Sequence, residues 1–204
     1  MSNFLWFITS WYKKYLPGLL KSIPVGEDIE VIDQRKTGWS LARAWNLGLS
    51  RIGKYQNVII CNDDIIVKKE TGRKITGILN SAGRSLKTLI ISAYDINVHG
   101  DLGNIWVPSK QSFPAAFCFA VDERLEKEVG QFDENFDPYL LEDCDMYYRM
   151  SQKGFDWATG VPVWHIGGGA TQSQKARKWR EEMLEKSMAY YIQKYGGPPG
   201  EERG

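Results

Sequence analysis

The chain is 204 residues long, 43% hydrophobic and 13% aromatic, with a mean hydropathy of -0.39, which suits one domain with a substantial core and excludes a disordered chain. Its 26 basic and 25 acidic side chains leave a net charge of +1; this argues against a protein whose main partner is a nucleic-acid backbone, so any anionic ligand must be handled locally. Cys61, Cys118 and Cys144 are odd in number and widely spaced among apolar or acidic neighbours, a pattern of buried free thiols in a reducing compartment and not of a disulfide framework or zinc knuckle.

The first residues, MSNFLWFITSWYKKYL, are apolar for six positions with no basic stretch ahead of them, too short for a signal peptide or a membrane span. They read as a first strand, Phe4 to Thr9, of an intracellular, cytoplasmic chain for which a peripheral membrane contact stays open. Ser10 is placed to cap a helix carrying Tyr12, Tyr15, Leu16, Leu19 and Leu20 before Pro24. Asp28 to Asp33, DIEVID, reads as a second strand ending on an acid. Ser40 to Ile52 sets Leu41, Ala44, Trp45, Leu49 and Ile52 on one helical face, with Ser40 as N-cap. Val58 to Cys61 is the third strand. Strand and helix alternating at this spacing predict right-handed crossovers and a parallel, doubly wound sheet, with ligands bound where strands end. Thr9 and Ser10, Asp33, and Asn62 to Asp64 all fall at such ends.

Further on, Thr88 to Ile96 reads as another strand, and Phe113 to Val121 and Trp157 to His165 as short strand pieces. A helix is expected from Glu142 to a stop at Gly154, an amphipathic helix from Ser173 to Tyr195, and a frayed tail after it.

Three acidic groups stand out: Asp33; Asn62, Asp63 and Asp64; and Glu142, Asp143 and Asp145. Carboxylates at the end of a buried strand repel one another and lose hydration, so a cation or hydrogen-bond donors must compensate them. Hard oxygen ligands suit Mg²⁺ or Mn²⁺ bridging to phosphate. Each group also has a plain structural reading: a polar turn after a strand for Asn62 to Asp64, acids favoured by the helix dipole for Glu142, Asp143 and Asp145, and a hydrogen-bonded structural imidazole for His165. Gly167 to Gly169 could cradle phosphate but lack the Lys-Ser of a P-loop.

Taken in order, EVID, GWSLARAWNLG, VIICNDDIIV, VGQFDENFDPYLLEDCDMYYRMSQKGF and VPVWHIGGGAT resemble the family 2 glycosyltransferases of GT-A fold, especially the rhamnosyltransferase-like branch, from Phe4 to about Thr171. The resemblance implies an α/β fold of the nucleotide-diphospho-sugar transferase type, with a Rossmann-like, mostly parallel sheet and flanking helices. It implies one domain, 1–204, with a nucleotide-binding half (1–100), an acceptor and catalytic half (101–172) and a C-terminal helix (173–195). The activity implied is metal-dependent, inverting hexosyl transfer from a nucleotide-diphosphate sugar to a hydroxyl of a glycan, glycoprotein or lipid-linked acceptor, with Mn²⁺ or Mg²⁺ as cofactor and no nucleic-acid partner.

Carried over by residue, the resemblance assigns Asp33, Asn62 and Asp63 to the nucleotide and Asp64 and His165 to the metal; Thr9 and Ser10, at a strand end, and Arg43 join the nucleotide-binding candidates. Asp143 becomes the catalytic base, with Glu142 beside it. The D-x-D position either begins at Asn62 or is shifted onto Asp63 and Asp64. Asp145 is expected to cap its helix or pair with Arg149. Trp106 and Phe113, flanking a loop with Asn104, Ser109 and Lys110, are the candidates for the acceptor. The helix face of Trp179, Met183, Met188 and Tyr191, with Lys175, Arg177, Lys178 and Arg180 near its start, suits either a lipid surface or packing. Two other readings remain at this stage: a nucleotide-sugar or carbohydrate-binding module without turnover, and a metal-dependent nucleotidyltransferase or nuclease.

Overall fold

The computed structural model describes residues 3–11, 13–103, 107–108, 116–166 and 174–203. Along them run β1 (Phe4–Ser10), α1 (Leu16–Ser22), β2 (Asp28–Asp33), α2 (Gln34–Thr37), α3 (Leu41–Leu49), β3 (Asn57–Asn62), β4 (Ile65–Ile66), α4 (Thr71–Leu86), β5 (Thr88–Asp95), α5 (Ile96–His99), β6 (Val107–Pro108), β7 (Cys118–Val121), α6 (Leu125–Glu128), α7 (Glu142–Gln152), β8 (Asp156–His165) and α8 (Gln174–Tyr195). The strands form one sheet in the order β2-β1-β3-β7-β5-β8-β4, with β6 on β8. β1 is parallel to β2 and β3, and β5 to β8; β7 runs antiparallel between β3 and β5, and β4 and β6 run antiparallel to β8.

β1 is buried along its whole length because helices cover both faces of the sheet. Phe4, Trp6 and Ile8 join Leu19 and Ile23 of the α1 segment and Ile75 and Leu79 of α4. Leu5 and Phe7 turn the other way, to Ala42, Trp45 and Leu49 of α3 and Met146 and Met150 of α7. The predicted cap of α3 is present: Ser40 Oγ accepts the Arg43 N–H at 3.2 Å.

Several expectations are corrected. Ser10 is the last residue of β1 and not a cap; α1 starts only at Leu16, where Tyr15 precedes it without a side-chain cap. The sheet is mixed at its centre, since the strand expected from Phe113 to Val121 appears as β7 at Cys118–Val121, returning antiparallel between β3 and β5. The tail is not frayed: Tyr191 Oη donates to Glu202 Oε1 at 2.5 Å and the Arg203 N–H to the Tyr195 carbonyl at 3.0 Å.

α4 was not expected, because TGRKITGILNSAGRSL carries three glycines and several poor helix formers. Packing explains one of them. A Cβ on Gly72 would lie 2.7 Å from Phe4 Cε2 and 3.0 Å from Trp6 Cζ2, so helix and strand approach closer than any side chain permits. Gly72→Ala gains helix propensity yet overpacks this contact. We expect a net loss of about 1–2 kcal/mol, read by urea unfolding.

Candidate active site

The chain leaves β1 toward β2 on one side and later returns as β3 on the other, which opens a crevice at the carboxyl ends of these strands. In that crevice Thr9 lies opposite Asn62. Thr9 Oγ1 lies 3.1 Å from Asn62 Oδ1 and 3.3 Å from the Cys61 carbonyl, and its hydroxyl can donate to either. Ser10 Oγ donates to Asp63 Oδ2 at 2.7 Å. Asp63 is thereby buried with a donor from β1, and Asp64 turns elsewhere.

Asp64 is aimed by β4. That short strand pairs antiparallel with the end of β8, Ile65 opposite His165, and the Ile166 N–H donates to the Asp64 carbonyl at 2.8 Å. The register brings His165 Nε2 to 3.4 Å from Asp64 Oδ1, too long for a good hydrogen bond, and Asp64 Oδ1 is a buried oxygen that accepts none. The imidazole stacks on Phe117, ring centroids 4.4 Å apart and 12° from parallel. Its backbone N–H donates to Asp95 Oδ1 at 3.2 Å, and its carbonyl accepts from Asn97 Nδ2 at 3.1 Å.

These groups edge a cavity of about 130 Å³. Thr9, Asn62, Asp63, Asp64 and Gln34 give its polar side, and Trp11, Leu41, Pro138, Tyr139 and Trp179 its apolar wall. Pro138 and Tyr139 also open the approach to α7, and the Leu41 N–H donates to the Pro138 carbonyl at 2.9 Å.

Between Tyr139 and α7 stand Leu140 and Leu141 with φ of 87° and 70°, two side-chain-bearing residues in a left-handed conformation that costs about 1–3 kcal/mol each. This turn launches Glu142 and Asp143. Glu142 is buried, with Oε2 unpartnered; burial, then the neighbouring Asp143 charge, pushes its carboxyl well above the usual range. Asp143 is half-buried, and burial raises it too, although its Oδ1 accepts the Cys144 N–H at 2.9 Å. A carboxylate raised in this way is a stronger base than an exposed one.

Asp145, one turn along, is wholly buried but fully compensated. It accepts from Arg149 Nε at 2.9 Å, from Lys194 Nζ at 2.6 Å and from Tyr195 Oη at 2.6 Å. The expected Arg149 pairing is therefore present, and α8 adds two donors that local sequence could not reveal.

No family model and no curated protein matches this chain. Solved structures do match in shape. Glucosyl-3-phosphoglycerate synthase from Mycobacterium tuberculosis, in complex with Mg²⁺ and uridine-diphosphate, aligns over 96% of this chain and 80% of its own, with a TM-score of 0.62 and 10% identity. Mannosyltransferase PcManGT from Pyrobaculum calidifontis, in complex with GDP-Man and Mn²⁺, aligns over 96% of this chain and 66% of its own, with 0.60 and 12%. A197 from STIV aligns over 79% of this chain and 83% of its own, with 0.52 and 12%.

The fold is GT-A. On this GT-A frame, the residues expected at the site separate into four sets, one of which is Glu142 and Asp143 at the start of α7, not among the residues lining the cavity. Thr9, Asn62, Asp63 and Asp64 come together at the cavity, with Ser10 and His165 bonded to or against them. Asp33 ends β2 as expected, but Lys13 holds its carboxylate at 2.9 Å and keeps it below the usual range; its neighbour Gln34 is the one that lines the cavity. Arg43 is exposed on α3 with its guanidinium 4.9 Å over the Trp39 ring, and it is not among the residues lining the cavity. Trp106, Phe113 and Gly167 to Gly169 lie outside the described residues.

Sequence reasoning missed Trp11, Gln34, Leu41, Tyr139 and Trp179 as cavity residues. The strand-end rule could have found Trp11 and Gln34, each just past a strand. For Trp179 no local signal exists. Trp179, Met183, Met188 and Tyr191 are half-buried or buried, the Trp179 ring against Tyr139 and the Tyr191 ring near Phe136. No described helix is long and apolar enough to cross a membrane.

Among the described residues no three His, Cys, Asp or Glu side chains converge as a ready metal cage. The donor set still fits a divalent ion that takes its other ligands from a phosphate: a buried, unpartnered carboxylate oxygen on Asp64 faces an imidazole nitrogen on His165. Either Mn²⁺ or Mg²⁺ is compatible with one oxygen and one nitrogen donor, the nitrogen favouring Mn²⁺.

Proposed function

We propose that this protein is a metal-dependent glycosyltransferase, family 2-like, that moves a sugar from a nucleotide-diphosphate donor to an acceptor hydroxyl with inversion. The observation that carries the reading is the buried Asp64 oxygen that accepts no hydrogen bond and lies 3.4 Å from His165 Nε2, at the rim of a cavity on the strand-switch crevice. Solved GT-A neighbours are nucleotide-sugar transferases, two of them in complex with a nucleotide and Mg²⁺ or Mn²⁺, which supports the donor class.

In this reading Asp64 and His165 would hold the ion, which supplies charge stabilisation to the departing diphosphate. Thr9, Asn62 and Asp63 border the nucleotide, and Gln34, next to Asp33 at the end of β2, reaches its base. Asp143 takes the proton of the acceptor hydroxyl as that oxygen attacks the anomeric carbon. One displacement with such a base inverts the configuration. The acceptor enters from the 101–172 half.

The deciding experiment is titration of the purified chain with UDP and GDP, and then with their sugars, with and without Mn²⁺. Wild-type protein should gain thermal stability only when nucleotide and metal are both present. Asp64→Ala should lose the metal-dependent part, with affinity falling at least about tenfold, which is 1.4 kcal/mol. Nucleotide binding that ignores both metal and Asp64→Ala would overturn the assignment. Release of free sugar from the bound donor separates an enzyme from a binding module.

A further inference from the structure

After β8, α8 runs for 22 residues and lies along the segment that leads into the acid motif. Its contacts follow that segment residue by residue. The Trp179 ring packs on Tyr139 with centroids 5.3 Å apart. Lys186 Nζ donates to the Asp137 carbonyl at 3.1 Å, and Ser187 Oγ to the Tyr139 carbonyl at 3.3 Å. Tyr190 Oη donates to Asp133 Oδ2 at 2.8 Å, and its ring meets Phe136 edge-on. Lys194 Nζ then bridges Asp133 and Asp145, 2.6 Å from each.

Two ends of this helix therefore touch two different parts of the site. At its start Trp179 is part of the cavity wall that faces Asn62 to Asp64. At its end Lys194 and Tyr195 hold Asp145, two residues after Asp143 on α7. The turn between, Leu140 and Leu141, is strained and needs outside contacts to persist; Ser187 and Lys186 bond to its flank.

We propose that α8 is a working part of the donor site: Trp179 contacts the bound nucleotide sugar, and Lys194 is a positioning residue that sets the acid helix α7 for transfer. This rests on the donor reading above and extends it to a helix that the strand-end logic leaves out. The two roles separate kinetically. Loss of a wall residue weakens donor binding, whereas loss of the clamp leaves the donor bound and misplaces the base, because an ångström of displacement is enough to cost orders of magnitude in rate.

The test measures donor KM and kcat, together with calorimetric binding of UDP and GDP in Mn²⁺, for wild type, Trp179→Ala, Lys194→Met, Lys194→Arg and Tyr195→Phe, each well below its own unfolding temperature. Trp179→Ala should raise donor Kd about tenfold, as expected for removal of a buried aromatic face. Lys194→Met should lower kcat at least about tenfold with nucleotide Kd unchanged, Lys194→Arg should restore most of it, and Tyr195→Phe should fall between. Amide exchange in residues 139–145 should quicken in Lys194→Met, a readout that holds even if turnover is lost. Wild-type affinity in Trp179→Ala together with wild-type kcat and exchange in Lys194→Met would overturn the inference. If wild type binds neither nucleotide, it is the donor reading that fails, and the exchange measurement alone then decides whether Lys194 orders α7.

Discussion

Asp143→Asn is expected to lower sugar transfer by about 10²–10⁴-fold, the range for loss of a positioned general base, while nucleotide binding stays at the wild-type level. The amide keeps the shape of the carboxylate, and its oxygen can still accept the Cys144 N–H that Asp143 accepts at 2.9 Å, so the first turn of α7 survives. What it loses is the ability to take a proton. Burial raises the Asp143 carboxyl above its ordinary range. The base must be ionised to act, so wild-type kcat should rise with pH through that raised value and level off above it. Its acid limb therefore lies higher than an exposed aspartate would give. Initial rates across pH, with calorimetry of the nucleotide in parallel, check both statements. Near wild-type transfer by Asp143→Asn would remove Asp143 from the role. Glu142→Gln is the informative companion, because Glu142 is deeper and its carboxyl is raised first by burial and then by Asp143. A large loss there with Asp143→Asn unaffected would move the base by one residue.

How much of this was legible in the chain differs by element. Strands that end on polar residues, EVID and VIICNDD, advertise both the sheet and its functional edge, because apolar runs and their abrupt ends are local features. The Ser40 cap is local as well and stands as read. The meeting of Asp64 with His165 was reached only through family resemblance. Its physical cause is the pairing of the two-residue strand β4 with the end of β8, a contact across about 100 positions that no periodicity encodes. Asn46, inside the run GWSLARAWNLG, is similar: its side chain brackets the Phe132 backbone, accepting the N–H at 2.8 Å and donating to the carbonyl at 2.9 Å. That motif residue ties α3 to the approach of the acid motif, and the chain order alone gives no hint of the partner.

α4 and the antiparallel placement of β7 were illegible for the opposite reason, since their local signals point elsewhere. Glycines argue against a helix until Phe4 and Trp6 are seen pressing on Gly72. A strand preceded by a parallel α/β pattern gives no sign that it will be inserted antiparallel between β3 and β5. Tertiary packing decided both, as it generally does where propensity is weak. The wall of the cavity shares this character, with Trp179 delivered from a helix near the end of the chain to face residues from β1 and β3.

Asp145→Ala is expected to destabilise the fold by about 3 kcal/mol, at the lower end of the 3–5 kcal/mol found when one partner of a buried ion pair is removed. The carboxylate is wholly buried and collects Arg149, Lys194 and Tyr195, so α7 and α8 are joined through it. The loss stays at the lower end because the cations keep other partners: Arg149 still reaches the Val129 and Gln131 carbonyls, and Lys194 still reaches Asp133. Asp133 is the second support of the same joint. Burial opposes its charge, but Lys194, the Asn135 N–H and Tyr190 hold its pKa down to about 2. A carboxyl depressed in the folded state contributes stability that is complete above its unfolded value near 3.8 and lost as pH falls toward 2. Urea unfolding of wild type should therefore weaken through that window. Asp145→Ala should weaken at every pH, and should shift the midpoint more than Asp143→Asn does. An Asp145→Ala midpoint within error of wild type would mean that α8 is held by its aromatic contacts, Tyr139 with Trp179 and Phe136 with Tyr190 and Tyr191, and not by the buried charge.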